Sequence, residues 1–231
     1  MTGTIETLFL ATALFVGMHF AMAGRTLRAM AVEALGENGY LGLYSAVSGV
    51  AFVWMLLAYA DAPYVEYWAD QAWTRWVPNI VVPISSILIV CGFTVANPTA
   101  VGGERAFEDP KGPRGILTVT RHPFLWGVGL WALAHLVANG DGASVILFGG
   151  ITILSFAGMH AIDTKRRERL GAEWGPFELT TSIMPFRAIF DGRAKLDWSG
   201  IGIMRIGAGL LLWAGLLISH LLIIGASPLP T

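Results

Sequence analysis

Charge is scarce in this sequence, and cysteine nearly absent. Only 13% of the 231 residues are charged, against 55% hydrophobic. That balance excludes an ordinary soluble enzyme and is the composition of a membrane protein. The single cysteine, Cys91, rules out an intrachain disulfide and any Cys-x-x-Cys site, and leaves the redox compartment unread. The opening residues MTGTIET contain no Lys or Arg, so the first apolar run lacks the basic start of a signal peptide and is expected to be a retained helix. No phosphate-cradling Gly-rich loop is found, and no dinucleotide fingerprint, zinc-protease motif or serine-hydrolase elbow. A net charge of -1 without a basic tract gives no hint of nucleic-acid binding.

What the chain does have is apolar length. Six segments approach the ~20 residues that span a bilayer core: 4–23, 39–61, 77–97, 122–139, 143–162 and 200–225. The fourth is short and needs its flanks to complete a span. The expectation is an all-α, polytopic transmembrane helix bundle of about six spanning helices, with residues 1–231 forming one integral membrane domain in contact with the lipid bilayer. Thirteen of the 15 Lys and Arg fall in three regions: Arg25 and Arg28; Arg105, Lys111, Arg114 and Arg121; and seven residues between Lys165 and Lys195. The positive-inside rule places these loops in the cytoplasm and both termini outside. The outer loop 62–76 is aromatic, with Tyr64, Tyr67, Trp68, Trp73 and Trp76, as an interfacial belt would be. Residues 98–114 are rich in Gly and Pro and are read as irregular. Residues 163–180 are amphipathic and are read as lying on the inner leaflet or closing a cavity on that side.

The chain is organised around residues 113–141, where a basic loop enters an apolar helix through Arg121-His122-Pro123. Proline suits the first helical turn, because its missing N–H would be unpaired there anyway. All five histidines lie in or at the ends of apolar segments, and ionisable groups at membrane depth are candidates for function. Neutral imidazole is a common ligand of iron. A haem with axial histidines and apolar walls fits a setting of Trp, Phe and Met, with Met18, Met22, Trp126 and Met159 as candidate walls. At 1.5 Å rise per residue, alternating helix directions sort the histidines into two depths: His19, His122 and His160 inside, His135 and His220 outside. Depth makes His19 and His122 the best ligand pair, with His135 and His160 next. Arg25 and Arg121 are candidate partners for haem propionates, since guanidinium pairs with carboxylate in a fork.

Three stretches carry a resemblance: GMHFAMAGR at 17–25, RGILTVTRHPFLWGVGLWALAHLVANGD at 114–141, and the later Trp174, Phe177 and Pro185-Phe186. With these the chain resembles the NnrU family of bacterial membrane proteins. The resemblance implies a bacterial inner (plasma) membrane location and a link to denitrification, in nitrite and nitric oxide metabolism. The same wider group includes the 15-cis-ζ-carotene isomerases, which use haem b to isomerise a cis double bond of a lipophilic polyene. It implies His19 and His135 as iron ligands, His122 as the shared Arg-His-Pro histidine, and these three as the catalytic and metal-binding set. A second similarity is to the isoprenylcysteine and phospholipid methyltransferases, through Arg121-His122-Pro123, Asp163, Gly171, Trp174, Phe177 and Pro185 in that order. It implies a cytoplasmic S-adenosylmethionine cavity, although Asp163, Trp174 and Phe177 stand where those enzymes have a Glu and tyrosines. A third reading is a non-enzymatic assembly factor for a reductase, with an unidentified protein partner.

Overall fold

The computed structural model describes residues 3–69, 71–100, 103, 106 and 112–229. Among them the chain is all-α. Helix α1 (Ile5–Met22) starts at Thr4, whose hydroxyl accepts from the Thr7 N–H, the usual way a helix start satisfies a free donor. Helix α2 (Arg25–Ala60) follows almost at once. The expected basic loop after α1 is therefore only Ala23-Gly24, and Arg25 and Arg28 belong to the first turn of α2. The expected span 39–61 is the part of α2 beyond a break at Gly36, whose φ of 72° ordinary side chains resist. Helix α3 (Trp76–Thr94) carries an internal Pro83. Helix α4 (Pro123–Ala138) begins with the proline of Arg-His-Pro and has 16 residues. Helix α5 (Gly142–Leu170) is capped by Asp141, which accepts from the Ser144 N–H.

Beyond α5 the expected single segment 163–180 is two pieces. The helix runs on to Leu170, Gly171 turns the chain at φ 54°, and α6 (Trp174–Thr180) begins a short turn later. Two short helices, α7 (Arg187–Phe190) and α8 (Trp198–Ile201), lead to α9 (Ile203–Ile224).

Among the described residues five helices are long and apolar enough to cross a membrane, and α4 is a shorter apolar one. They stand in a row: α2 packs on α1, α1 on α5, α5 on α4, α4 on α3, and α3 on α9. The chain is an integral membrane protein, and its outer faces are what lipid requires. On α9 only Gly209 is buried, while Leu211, Ile218 and Leu222 are exposed; such apolar surface is stable against hydrocarbon and costly against water. Small residues let the helices approach. A Cβ on Gly127 would lie 2.8 Å from the Ser85 carbonyl, and one on Gly209 2.5 Å from the Ile87 Cα. Ser85 Oγ also donates to the Gly127 carbonyl at 2.6 Å.

One end of the bundle gathers both chain termini and the aromatic loop. Asn79 donates to the Pro228 carbonyl, and Tyr67 and Trp68 N–H groups donate to the Gly140 carbonyl of the α4–α5 turn. Tyr64, Tyr67, Trp73 and Trp76 are exposed there. Of the 98–114 loop, residues 98–100, 103, 106 and 112–114 are described; Gly102, Arg105 and Lys111 lie outside the described residues.

At the opposite end, Asp197 ties α8 to the turn at Gly115. Its carboxylate accepts from the N–H groups of Gly115 (2.8 Å) and Gly200 (2.9 Å) and from the Ser199 hydroxyl (2.8 Å). The Gly115 and Gly200 N–H groups, then Ser199, hold its pKa below the ordinary carboxylate value. A depressed folded pKa adds stability above the unfolded pKa, and this contribution is lost as pH falls through the folded value. Amide exchange at Gly115 and Gly200 is therefore expected to accelerate selectively at pH below about 4. In Asp197→Asn it should be fast already at neutral pH, and equal exchange in the two proteins at neutral pH would contradict this role.

Candidate functional site

The Arg121-His122-Pro123 junction folds into a closed polar knot. Arg121, His122 and Asp163 are 5%, 2% and 3% exposed. The Arg121 Nε–H donates to Asp163 Oδ2 and the His122 Nε2–H to Asp163 Oδ1, both at 2.8 Å. The other side of the guanidinium reaches the Thr181 hydroxyl at 3.2 Å. The Arg121 carbonyl accepts from Asn97 Nδ2 and from the Thr99 hydroxyl. The segment after α6 closes the knot: Arg121 N–H donates to the Ser182 carbonyl, while the Thr120 hydroxyl and Trp126 Nε1–H both donate to the Ile183 carbonyl. Phe186 sits at φ 64°, unusual for a residue with a Cβ, and its N–H donates to the Val119 carbonyl. The Pro185-Phe186 pair thus follows a segment that plugs the start of α4.

This geometry bears on two site expectations. His122 Nε2–H is held by Asp163 on a side chain almost closed to solvent, so the knot engages the imidazole that depth pairs with His19. Arg121, expected to meet a haem propionate, is paired here with Asp163. The side chain of Arg25 lies outside the described residues.

The remaining histidines behave differently. His19 Nδ1–H donates to the Phe15 carbonyl at 2.6 Å, His135 Nδ1–H to the Trp131 carbonyl at 2.8 Å, and His160 Nδ1–H to the Phe156 carbonyl at 3.3 Å. Each bond fixes the tautomer and leaves Nε2 with its lone pair, the state a metal ligand needs. No Nε2 partner is found for these three among the described residues. His160 is exposed. His19 and His135 are half-buried and walled by rings: Phe15 at 4.6 Å and Tyr44 at 5.6 Å around His19, Trp131 at 4.9 Å and a stacked Phe148 at 5.2 Å around His135. His220 bonds through Nδ1 to the Ala226 carbonyl beyond its own helix.

The register relates the two half-buried histidines. Thr12 of α1 lies against Gly150 of α5, and His135 of α4 against Phe148 of α5. His135 therefore stands near the level of residue 10 of α1, so its Cα is ~14 Å in depth from that of His19 at 1.5 Å per residue. The two helices run in opposite directions, however, and each ring is drawn back toward its own N-terminus, to a carbonyl one turn (about 5.4 Å) earlier. The rings consequently lean toward each other over α5. Phe15, Val128, Trp131 and Phe148 share the apolar cluster between them. Thr12 Oγ1 and Thr152 Oγ1 are buried at the same levels without a hydrogen-bond partner. Residues available for a haem fit this stretch: two imidazoles with free Nε2, aromatic walls and no competing carboxylate. Among the described residues no group of three or more His, Cys, Asp or Glu is placed to hold a bare metal ion.

Sequence reasoning singled out Arg121 and His122 but missed what they bind. The signal was available: a buried arginine in an apolar setting needs a carboxylate, and Asp163 is the acidic residue that α5 carries toward it.

Two curated relatives are similar along most of this chain. One is a chloroplastic 15-cis-zeta-carotene isomerase of Zea mays, 28% identical over 199 residues, 82% of this chain and 52% of the relative. The other is the chloroplastic 15-cis-zeta-carotene isomerase of Arabidopsis thaliana, 28% identical over 191 residues, 79% of this chain and 50% of the relative. The chain spans about half the length of these relatives. No solved structure matches it. The family model described as "NnrU protein" matches residues 7–228, nearly the whole of the described bundle, and on that match the chain belongs to the NnrU family.

Proposed function

We propose that this protein is a haem b-binding membrane protein that isomerises a double bond in a lipophilic polyene. One observation carries the reading: His19 and His135, the half-buried histidines of α1 and α4, both have Nδ1 locked on a backbone carbonyl and no Nε2 partner among the described residues, with aromatic walls beside each ring. The similarity to carotene isomerases supports the same pair. Haem bound there supplies an iron centre able to act on a double bond as a Lewis acid or one-electron relay. The chain supplies the rest. His19 and His135 would hold the iron by Nε2. Phe15, Trp131 and Phe148 would keep water from the site. A Cβ on Gly17 or Gly149 would meet nothing within 4 Å, which leaves room beside these helices for an apolar substrate. The knot at His122 fixes the start of α4 and so the direction in which His135 points.

In this reading six helices span the plasma membrane, with both termini outside and the Arg121 knot at the cytoplasmic face. The basic residues of that end support the orientation. The whole chain acts as one domain.

The test is the absorption spectrum of the full chain purified in detergent from cells supplied with haem precursor. A haem b Soret band that persists through purification is expected. A colourless protein overturns the reading and favours the assembly-factor role.

A further inference from the structure

A cavity of about 890 Å³ opens at the end of the bundle that holds the knot. Its walls come from the end of α3, the turn after Gly112, α6 and the start of α9. Val95, Leu117 and Phe177 make part of it apolar, while Arg114, Arg205 and Glu173 make part of it charged. It is separate from the His19–His135 stretch, which lies between α1 and α4.

Arg205 is its unusual member. It stands in the first turn of an apolar helix, with Met204 and Ile203 beside it 83% and 79% exposed. Its Nε–H donates to the Thr94 hydroxyl, and one terminal nitrogen donates to the carbonyls of Gly200 and Ile201. These neutral acceptors aim the guanidinium but do not neutralise it, and Arg205 forms no ion pair among the described residues. Among the described residues that line the cavity Glu173 is the one carboxylate, and Arg114, the second arginine there, also faces the Asp197 carboxylate. A cation fixed by carbonyls at a low-dielectric edge is a strong site for an anion. Phe190 and Trp198, 83% and 67% exposed on the same end, mark the level where headgroups meet hydrocarbon.

We infer that this cavity binds the phosphate headgroup of an anionic phospholipid, with Arg205 on the phosphate and the upper acyl chain along Val95, Leu117 and Phe177. A phosphodiester supplies the oxygens that a fork of N–H donors needs. The apolar wall beside it requires an amphiphile and not a free ion. Ile203 and Met204, beside Arg205 on α9, are exposed apolar residues, so in this proposal the ligand enters sideways from the leaflet.

The experiment is native mass spectrometry of the full-length protein in detergent, titrated in separate arms with phosphatidylglycerol, phosphatidylcholine and inorganic phosphate. Wild type is expected to retain phosphatidylglycerol at least fivefold better than phosphatidylcholine. Arg205→Gln should lose that preference, and Arg205→Lys should keep part of it. Ala96→Trp, which fills the cavity from the α3 side and leaves both arginines in place, should also reduce retention severalfold, so the proposal stays testable if Arg205→Gln folds poorly. Equal retention of the two lipids by wild type, or undiminished phosphatidylglycerol binding in both Arg205→Gln and Ala96→Trp, overturns it. Displacement of the lipid by inorganic phosphate at similar concentration also overturns it, because the site would then read a free anion.

Discussion

Asp163→Ala is expected to cost about 3–5 kcal/mol of stability, the usual result of removing one partner from a buried ion pair. The reason is what the substitution leaves behind. Arg121 Nε and His122 Nε2 both point at the Asp163 carboxylate from positions almost closed to solvent. With the carboxylate gone, the His122 N–H loses its acceptor, and the buried guanidinium keeps only the Glu178 carboxylate at 3.9 Å, the Glu178 carbonyl and the Thr181 hydroxyl, none of which replaces the bond at Nε. The segment 181–186 should loosen with it, since its backbone bonds to Thr120, Arg121 and Trp126 depend on the same junction. Asp163→Asn keeps an acceptor but loses the charge and is expected to cost less. The double variant Asp163→Ala with Arg121→Met should recover part of the loss, because it removes the stranded charge as well. Thermal unfolding in detergent reads all of these. If Asp163→Ala melts with wild type, the knot is not a structural lock.

His19→Ala and His135→Ala are each expected to lose most of the bound haem while leaving the fold intact. Neither ring makes a side-chain hydrogen bond that another group depends on; each bonds only to a carbonyl that α-helix geometry already satisfies. His122 predicts the opposite pattern. His122→Ala should lower the melting temperature through the knot, and His122→Gln, which can still donate to Asp163 Oδ1, should keep both haem and stability. The two sets of variants thus separate iron ligation from scaffolding by haem content against melting temperature. If His122→Gln strips the haem as His19→Ala does, the assignment of His122 to the knot fails.

Much of this architecture was legible in the sequence. Apolar length and the absence of charge located the helices, because in hydrocarbon every backbone group must be satisfied within a helix. The turn Asn139-Gly140-Asp141 marked α4 and α5 as antiparallel neighbours, and the Asp141 cap holds that turn. Gly36 and Gly171 were not legible as breaks, since an isolated glycine in a helical pattern is usually tolerated. The histidine pairing proposed here departs from the depth-based one for a specific reason. Depth counted from Cα positions put His19 with His122 and apart from His135, but side chains on antiparallel helices are tilted toward opposite ends, and the Nδ1–carbonyl bonds add to that tilt. Nor could spacing alone show that His122 Nε2 was committed to Asp163, 41 residues away in sequence. The Arg205 cavity had no sequence signature, because its walls come from four separate parts of the chain.

The central claim, that His19 and His135 hold one haem through Nε2, is tested most directly by electron paramagnetic resonance of the ferric protein beside the two alanine variants. Two axial imidazoles give low-spin iron, so the wild type is expected to show a low-spin signal that turns high-spin or disappears in both His19→Ala and His135→Ala. A low-spin signal that survives unchanged in either variant, or a protein that takes up no haem at all, would contradict it.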